Sequence, residues 1–187
     1  SIRITAGILL GQLLVGVPAA WAFARYDFPL KKPAFTVYIT LMIMPFQVTM
    51  LSNYLVLDRL SLMDTLWAVI LPGAFSTFPV FIMYRFFTGI PEAVVESARI
   101  DGTGEGKIFL YMGLPLGSGG ICSALVLGFL ECWNLIEQPL TFLKNKELWP
   151  LSLYLPDIGL LEAPGAFAAS VVVLLPALFI FLGGQDY

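Results

Sequence analysis

The chain has 187 residues, of which 58% are hydrophobic and 12% charged, with a net charge of −3 at pH 7 and no histidine. Soluble domains carry about a quarter charged residues, so this balance places the chain in lipid. The mild acidity and the absence of any Lys/Arg cluster exclude nucleic acid, because neutralising phosphates requires a basic footprint.

Five runs reach the roughly 20 apolar residues that a helix needs to cross a bilayer: Ile4 to Ala24, Ala34 to Leu57, Thr65 to Tyr84, Pro115 to Leu135, and Ala163 to Leu182. Only the fourth holds a charge, Glu131. Backbone groups in hydrocarbon must be satisfied internally, and continuous apolar runs predict helices rather than the alternating strands of a barrel. The expected fold is therefore an all-α membrane bundle of five transmembrane helices, with residues 1–187 forming a single domain. The chain opens on Ser1 almost inside a span and ends at Tyr187 just after another, so it reads as a fragment.

Gly7 and Gly11 in the first span make a GxxxG pair that permits close helix contact. Pro45, Pro72, Pro79 and Pro176 lie inside spans, where each removes a backbone donor and predicts a kink. Cys122 and Cys132 both fall in the fourth span with no partner cluster, and they read as small packing residues rather than metal ligands.

Six of the ten basic residues (Arg25, Lys31, Lys32, Arg85, Arg99 and Lys107) sit in the connections after the first and third spans, against four (Arg3, Arg59, Lys144 and Lys146) on the other side. The positive-inside rule then predicts that segments 25–33 and 85–114 are cytoplasmic, with the N-terminus outside and the C-terminus inside. Segment 136–162 becomes the longest outer stretch. It mixes charges (Glu137, Lys144, Lys146, Glu147, Asp157) with Trp149 and Tyr154, residue types suited to contact with another protein.

Polar groups inside spans are expensive and tend to face a cavity or another helix. Gln47, Asn53, Tyr54, Glu131, Trp133 and Asn134 are the candidates for a solute path, all in or at the end of the second and fourth spans. Anchoring at the membrane interface is the competing reading for Trp and Tyr, and Glu131 has the alternative of reaching water at a helix end.

The segment between the third and fourth spans is polar and jointed. Pro91 and Glu92 suit a helix start, Val94, Val95 and Ala98 share one face, and Glu92, Glu96 and Arg99 share another. Gly102 stands where a left-handed cap is expected, and Thr103 is placed as N-cap of a second short helix leading through Ile108 and Phe109.

In order, Glu96, Ser97, Ala98, Arg99, Ile100, Asp101 and Gly102 are followed by nine residues and then Met112, Gly113, Leu114 and Pro115. This spacing resembles the EAA loop of permease subunits in ATP-binding-cassette (ABC) importers. Further runs (Ala20-Trp21-Ala22-Phe23-Ala24-Arg25, Met44-Pro45-Phe46-Gln47, Tyr84-Arg85-Phe86-Phe87, Ile90-Pro91-Glu92, Trp133-Asn134, Pro139-Leu140) are similar to the carbohydrate-importing, maltose-permease-like branch. Ser97 and Met112 replace the commoner Ala and Ile, and Thr103-Gly104-Glu105-Gly106 is richer in glycine than the family's second helix. Gly117 to Gly120 lacks the second proline often found there.

The resemblance implies a bacterial inner-membrane permease with a cytoplasmic helix-turn-helix coupling loop, residues 88–115. In it Glu96, Ser97, Ala98, Arg99, Asp101, Gly102, Thr103, Leu114 and Pro115 would engage the ATPase. Implied partners are a second, homologous permease, two ABC ATPase subunits that carry ATP and magnesium, and an extracytoplasmic solute-binding protein. No cofactor is expected in this chain, and six spans in the family imply one before Ser1. The chain has no GxxxxGK[ST] phosphate loop and so no ATPase site of that kind. An ion-coupled secondary carrier or a structural membrane subunit is the alternative; the carrier would predict a charged midplane site and repeat-related broken helices. An intramembrane enzyme would need a nucleophile with a base, or paired acids, at membrane depth, and the spans hold neither.

Overall fold

The computed structural model describes residues 1–155 and 163–184, and these are helical without a strand. In chain order the helices are α1 (Ile2–Arg25), α2 (Lys31–Ile43), α3 (Phe46–Arg59), α4 (Trp67–Gly89), α5 (Glu92–Ile100), α6 (Glu105–Leu116), α7 (Ser118–Trp133), α8 (Glu137–Phe142), α9 (Leu151–Tyr154) and α10 (Ala163–Gly184).

Two of the predicted spans, α1 and α4, are each long and apolar enough to cross a bilayer, and the number rises to four if each of two bent pairs counts as one span. The second predicted span is the pair α2 and α3, bent by 106°. Pro45 has no N–H to donate and its ring disfavours a helical Met44, which is extended here at ψ 125°. The fourth is displaced from the prediction: Pro115 belongs to the end of α6, and α7 leaves it at 67° and ends at Trp133. The bend falls at Gly117, whose backbone lies so close to the Phe87 ring that a Cβ would sit 2.2 Å from it. The fifth falls on α10.

α1 and α4 pack along their length, α7 lies against both, and α10 packs on α7. In lipid there is little hydrophobic drive between helices, so close packing and interhelical hydrogen bonds must hold them. Gly7 and Gly11 serve that purpose: a Cβ on Gly11 would come within 2.4 Å of the Ala74 Cβ, and one on Gly7 within 2.8 Å of Ile70. Around the far ends of α1 and α4, Val17, Ala20, Trp21, Val80, Met83 and Phe87 form a core with Val95 and Ala98 of α5 and Ile108 of α6. Near the start of α1, Ile4, Ile8, Val69, Ile70, Cys132 and Leu143 form a second. The outward faces of α3 and α10 expose Val48, Leu51, Leu55, Val171, Val172 and Phe179, which suits lipid and not water.

The charges divide between the two ends. Ser1 accepts the Leu151 N–H through Oγ at 2.8 Å, and Asp64 Oδ1 accepts the N–H groups of Lys144 and Asn145, both at 2.8 Å. Arg25, Glu92, Arg99 and Glu105 gather at the opposite end. Part of the expected outer segment, residues 156–162 with Asp157, lies outside the described residues.

Candidate functional site

α5 is a short amphipathic helix because its apolar residues fall one turn apart. Val95 (1% exposed) and Ala98 (8%) turn into the core, while Glu92, Glu96 and Arg99 face out. Its end is a Schellman cap: Gly102 has φ +78°, its N–H donates to the Arg99 carbonyl, and the Thr103 N–H donates to the Ala98 carbonyl, both at 3.0 Å. The next helix closes its first turn on the Gly104 carbonyl, so the N-cap of α6 is Gly104 and not Thr103 as the sequence suggested.

Four charges tie this corner to the spans. The Arg25 side chain, at the end of α1 and only 4% exposed, donates from Nη1 to Glu92 Oε2 at 2.8 Å. Its Nη2 donates to the Phe87 carbonyl at 2.7 Å, which also accepts the Ile90 N–H at 3.3 Å, and to the Ile90 carbonyl just beyond α4. Glu92 also pairs with Arg99 at 3.5 Å, and Arg99 Nε donates to Glu105 Oε1 at 2.7 Å. That hydrogen bond holds the Arg99 guanidinium further above its already high pKa. These contacts join α5 to the ends of α1, α4 and α6.

The other sequence-predicted loop residues are spread along this unit. Glu96 and Asp101 are exposed, and Ser97 Oγ donates to the Val94 carbonyl at 2.9 Å. Leu114 packs on the core at the far end of α6, and Pro115 beside it is exposed.

A second feature lies midway along α1 and α4, between them, the α2/α3 bend and the end of α7. It is a cavity of about 440 Å³, and its walls include Gln12, Thr49, Asn53, Ser76, Thr77, Glu131 and Gln138. Gln12 opens a π-helical turn, Gln12–Gly16, in the middle of α1. It donates from Nε2 to the Gly73 carbonyl at 3.0 Å, just before α4 breaks at Phe75 and Ser76.

Asn53 and Glu131 are the two sequence-predicted path residues on this wall. The other four sit elsewhere. Gln47 donates to Glu137 Oε1 at 2.7 Å, Tyr54 packs beside Leu57 and Phe142, and Asn134 Nδ2 donates to the Leu130 carbonyl at 2.9 Å. Trp133 is buried, stacked on Phe129 with centroids 5.3 Å apart, and its indole N–H donates to the Val173 carbonyl of α10 at 3.0 Å. Gln12, Thr49, Ser76, Thr77 and Gln138 were missed. Gln12 carries the same signal as Gln47, a polar side chain inside an apolar span.

Broken helices around a partly polar cavity, with a charged corner clasped to the same helices at one end, make up an all-helical fold with apolar helices long enough to cross a membrane. A bacterial ABC transporter involved in importing the acidic polysaccharide alginate has a chain of the same fold, with a TM-score of 0.84 at 20% identity, covering 100% of this chain and 72% of that one. The chain belongs to the family of binding-protein-dependent transport system inner membrane components, which matches residues 12–187. A probable ABC transporter permease protein of Pyrococcus horikoshii is 34% identical over 185 residues, covering 94% of this chain and 65% of its own length. The arabinooligosaccharides transport system permease protein AraQ of Halalkalibacterium halodurans is 30% identical over 192 residues, covering 100% and 68%. The chain thus spans about two thirds of the length of these curated relatives.

Proposed function

We propose that this chain is a permease subunit of an ATP-driven, binding-protein-dependent importer of a carbohydrate, forming one half of the pore as a single transmembrane domain. The observation that carries the reading is the charged corner: α5 presents Glu96 and Arg99 outward while Glu92 is tied through Arg25 to two spans. Such a corner suits transmission of force from a cytoplasmic partner.

On this reading residues 88–115 dock on an ABC ATPase in the cytoplasm, and a second permease completes the pore. ATP and magnesium stay on the ATPase subunits, and this chain does no chemistry of its own. The opposite end, with the segment from Ile136 onward, receives the solute-binding protein. The cavity beside Gln12 lies on the solute path.

The test is reconstitution of the full-length permease with its partner permease, ATPase and binding protein in proteoliposomes. Uptake that requires ATP inside and loaded binding protein outside is expected. Uptake driven by an imposed ion gradient without ATP would overturn the proposal in favour of a secondary carrier.

A further inference from the structure

We propose that Asp64 is a positioning residue of the outer surface: its carboxylate holds Lys144 to Glu147 in one fixed shape, against which a loaded solute-binding protein docks. The inference rests on reading the chain as a binding-protein-dependent permease, and it names the residue that readies its outer face.

Asp64 stands in the turn between α3 and α4, and Lys144, 80 residues further on, opens the stretch between α8 and α9. Three hydrogen bonds join the two. The Asp64 N–H donates to the Phe142 carbonyl at 3.0 Å, and Asp64 Oδ1 accepts the N–H groups of Lys144 and Asn145, both at 2.8 Å. Hydrogen bonds to an ionised acceptor are about twice as strong as neutral ones. Asp64 reaches both donors from φ +59°, a left-handed conformation that Asp and Asn adopt more readily than other residues with a Cβ.

The held segment is also braced from within. Asn145 Oδ1 accepts the Glu147 N–H at 3.0 Å and caps a short 3-10 turn, Lys146–Leu148. Trp149 turns its indole N–H inward to the Leu143 carbonyl at 3.2 Å, and the Lys146 ammonium lies 5.0 Å from the centroid of the Trp149 ring. Phe142 and Leu143 are anchored by core packing, so what Asp64 adds is order in the exposed residues that follow them, Lys144 to Glu147. A free loop must be ordered when a partner binds, and that cost is subtracted from affinity. Fixing the loop beforehand removes it. The segment presents charges of both signs, Lys144, Lys146 and Glu147, which suits a complementary protein surface rather than an anionic lipid layer. It lies at the Ser1 end, opposite Arg99 and Glu105, so the partner it meets is the extracytoplasmic one.

Two measurements on the assembled importer test the proposal. Asp64→Gly removes the carboxylate and relaxes the left-handed backbone; Asp64→Asn keeps an acceptor oxygen and tolerates the same φ. In the first measurement, ATP hydrolysis is followed against the concentration of loaded binding protein. The half-maximal concentration should rise on the order of tenfold in Asp64→Gly, with the rate at saturation near wild type, and Asp64→Asn should recover most of the affinity. An unchanged half-maximal concentration in Asp64→Gly, or equal loss in both variants, overturns the proposal while the importer reading stands. A wild-type complex that loaded binding protein does not stimulate overturns both. In the second, a nitroxide is attached at Glu147→Cys in a permease with Cys122→Ala and Cys132→Ala. Its electron paramagnetic resonance spectrum should report slow motion with Asp64 present and gain a fast component in Asp64→Gly. Identical spectra would overturn the positioning role whatever the partner. Asp64→Ser, which also lacks the carboxylate, repeats both measurements if Asp64→Gly assembles poorly.

Discussion

Arg25, the last residue of α1, and Glu92, the first of α5, meet at 2.8 Å across 67 residues of sequence. The two ends of the pair differ: the Arg25 side chain is 4% exposed and the Glu92 side chain 60%. Arg25 also lies over the Trp21 ring, 5.6 Å from its centroid, and serves two carbonyls at the end of α4. The arginine is the structural member of the pair, and the glutamate carries the connection to α5.

The asymmetry predicts unequal mutants. Arg25→Ala removes a buried cation with its hydrogen bonds to the Phe87 and Ile90 carbonyls, of which only that of Phe87 keeps a backbone partner, at a cost of about 3 kcal/mol. Arg25→Lys recovers little, because a single ammonium lacks the planar fork that reaches three acceptors. Glu92→Gln should cost less than ~1 kcal/mol, since its carboxylate is largely in solvent. Thermal melts of the purified complex measure all three, and a Glu92→Gln variant less stable than Arg25→Ala would contradict this account.

Gly11 gives a second prediction, about the α1/α4 crossing. Gly11→Ala forces a methyl group to within 2.4 Å of the Ala74 Cβ, which has no flexible arm to swing aside. Gly7→Ala instead meets the end of the Ile70 side chain at 2.8 Å, which rotates more readily. Overpacking costs about 1–3 kcal/mol, so Gly11→Ala should melt clearly lower than Gly7→Ala. Equal melting temperatures would mean that the crossing relaxes as a whole.

These relationships show what was legible in the chain. Local chemistry was: Pro91, Glu92 and Gly102 announce the start and stop of α5 because cap preferences act within a turn. α6 begins one residue later than a cap at Thr103 predicts, because its first turn closes on the Gly104 carbonyl, which accepts from Lys107 and Ile108, a register that two plausible cap residues in a row do not reveal. Pro45 predicted a kink but not one of 106°. The bend at Gly117 depends on where the Phe87 ring rests, which is a tertiary fact. The sequence marks Arg25 as a topological charge and as the end of a family-like run, but not as a clasp, since its partners lie 62 to 67 residues away.

The two-ended arrangement predicts topology. Lys144 stands beside Asp64 at the Ser1 end, opposite Arg99 and Glu105. Lys144→Cys, with Cys122 and Cys132 replaced, should react with an impermeant thiol reagent added outside intact cells, and Lys107→Cys only after the membrane is opened. The reverse pattern would turn the protein over.

Coupling through α5 is the prediction that bears most directly on function. Gly102 holds φ +78°, a conformation costing residues with a Cβ about 1–2 kcal/mol, and β-branching adds to that, so Gly102→Val should distort the cap that sets α6 against α5. No atom lies within 4 Å of the position of its Cβ, so the damage comes from backbone strain and not from a clash. Glu96 is exposed on the outward face of the same helix, so Glu96→Lys reverses a surface charge without touching the core. Neither change reaches α1 or α4. Membrane abundance and recovery of the second permease should therefore stay near wild type, while recovery of the ATPase with the purified permease falls several-fold, or ATP hydrolysis continues without uptake. Membrane abundance, recovery of the second permease and of the ATPase, ATP hydrolysis and uptake are to be measured on each variant, and normal uptake by both would remove α5 from the coupling path.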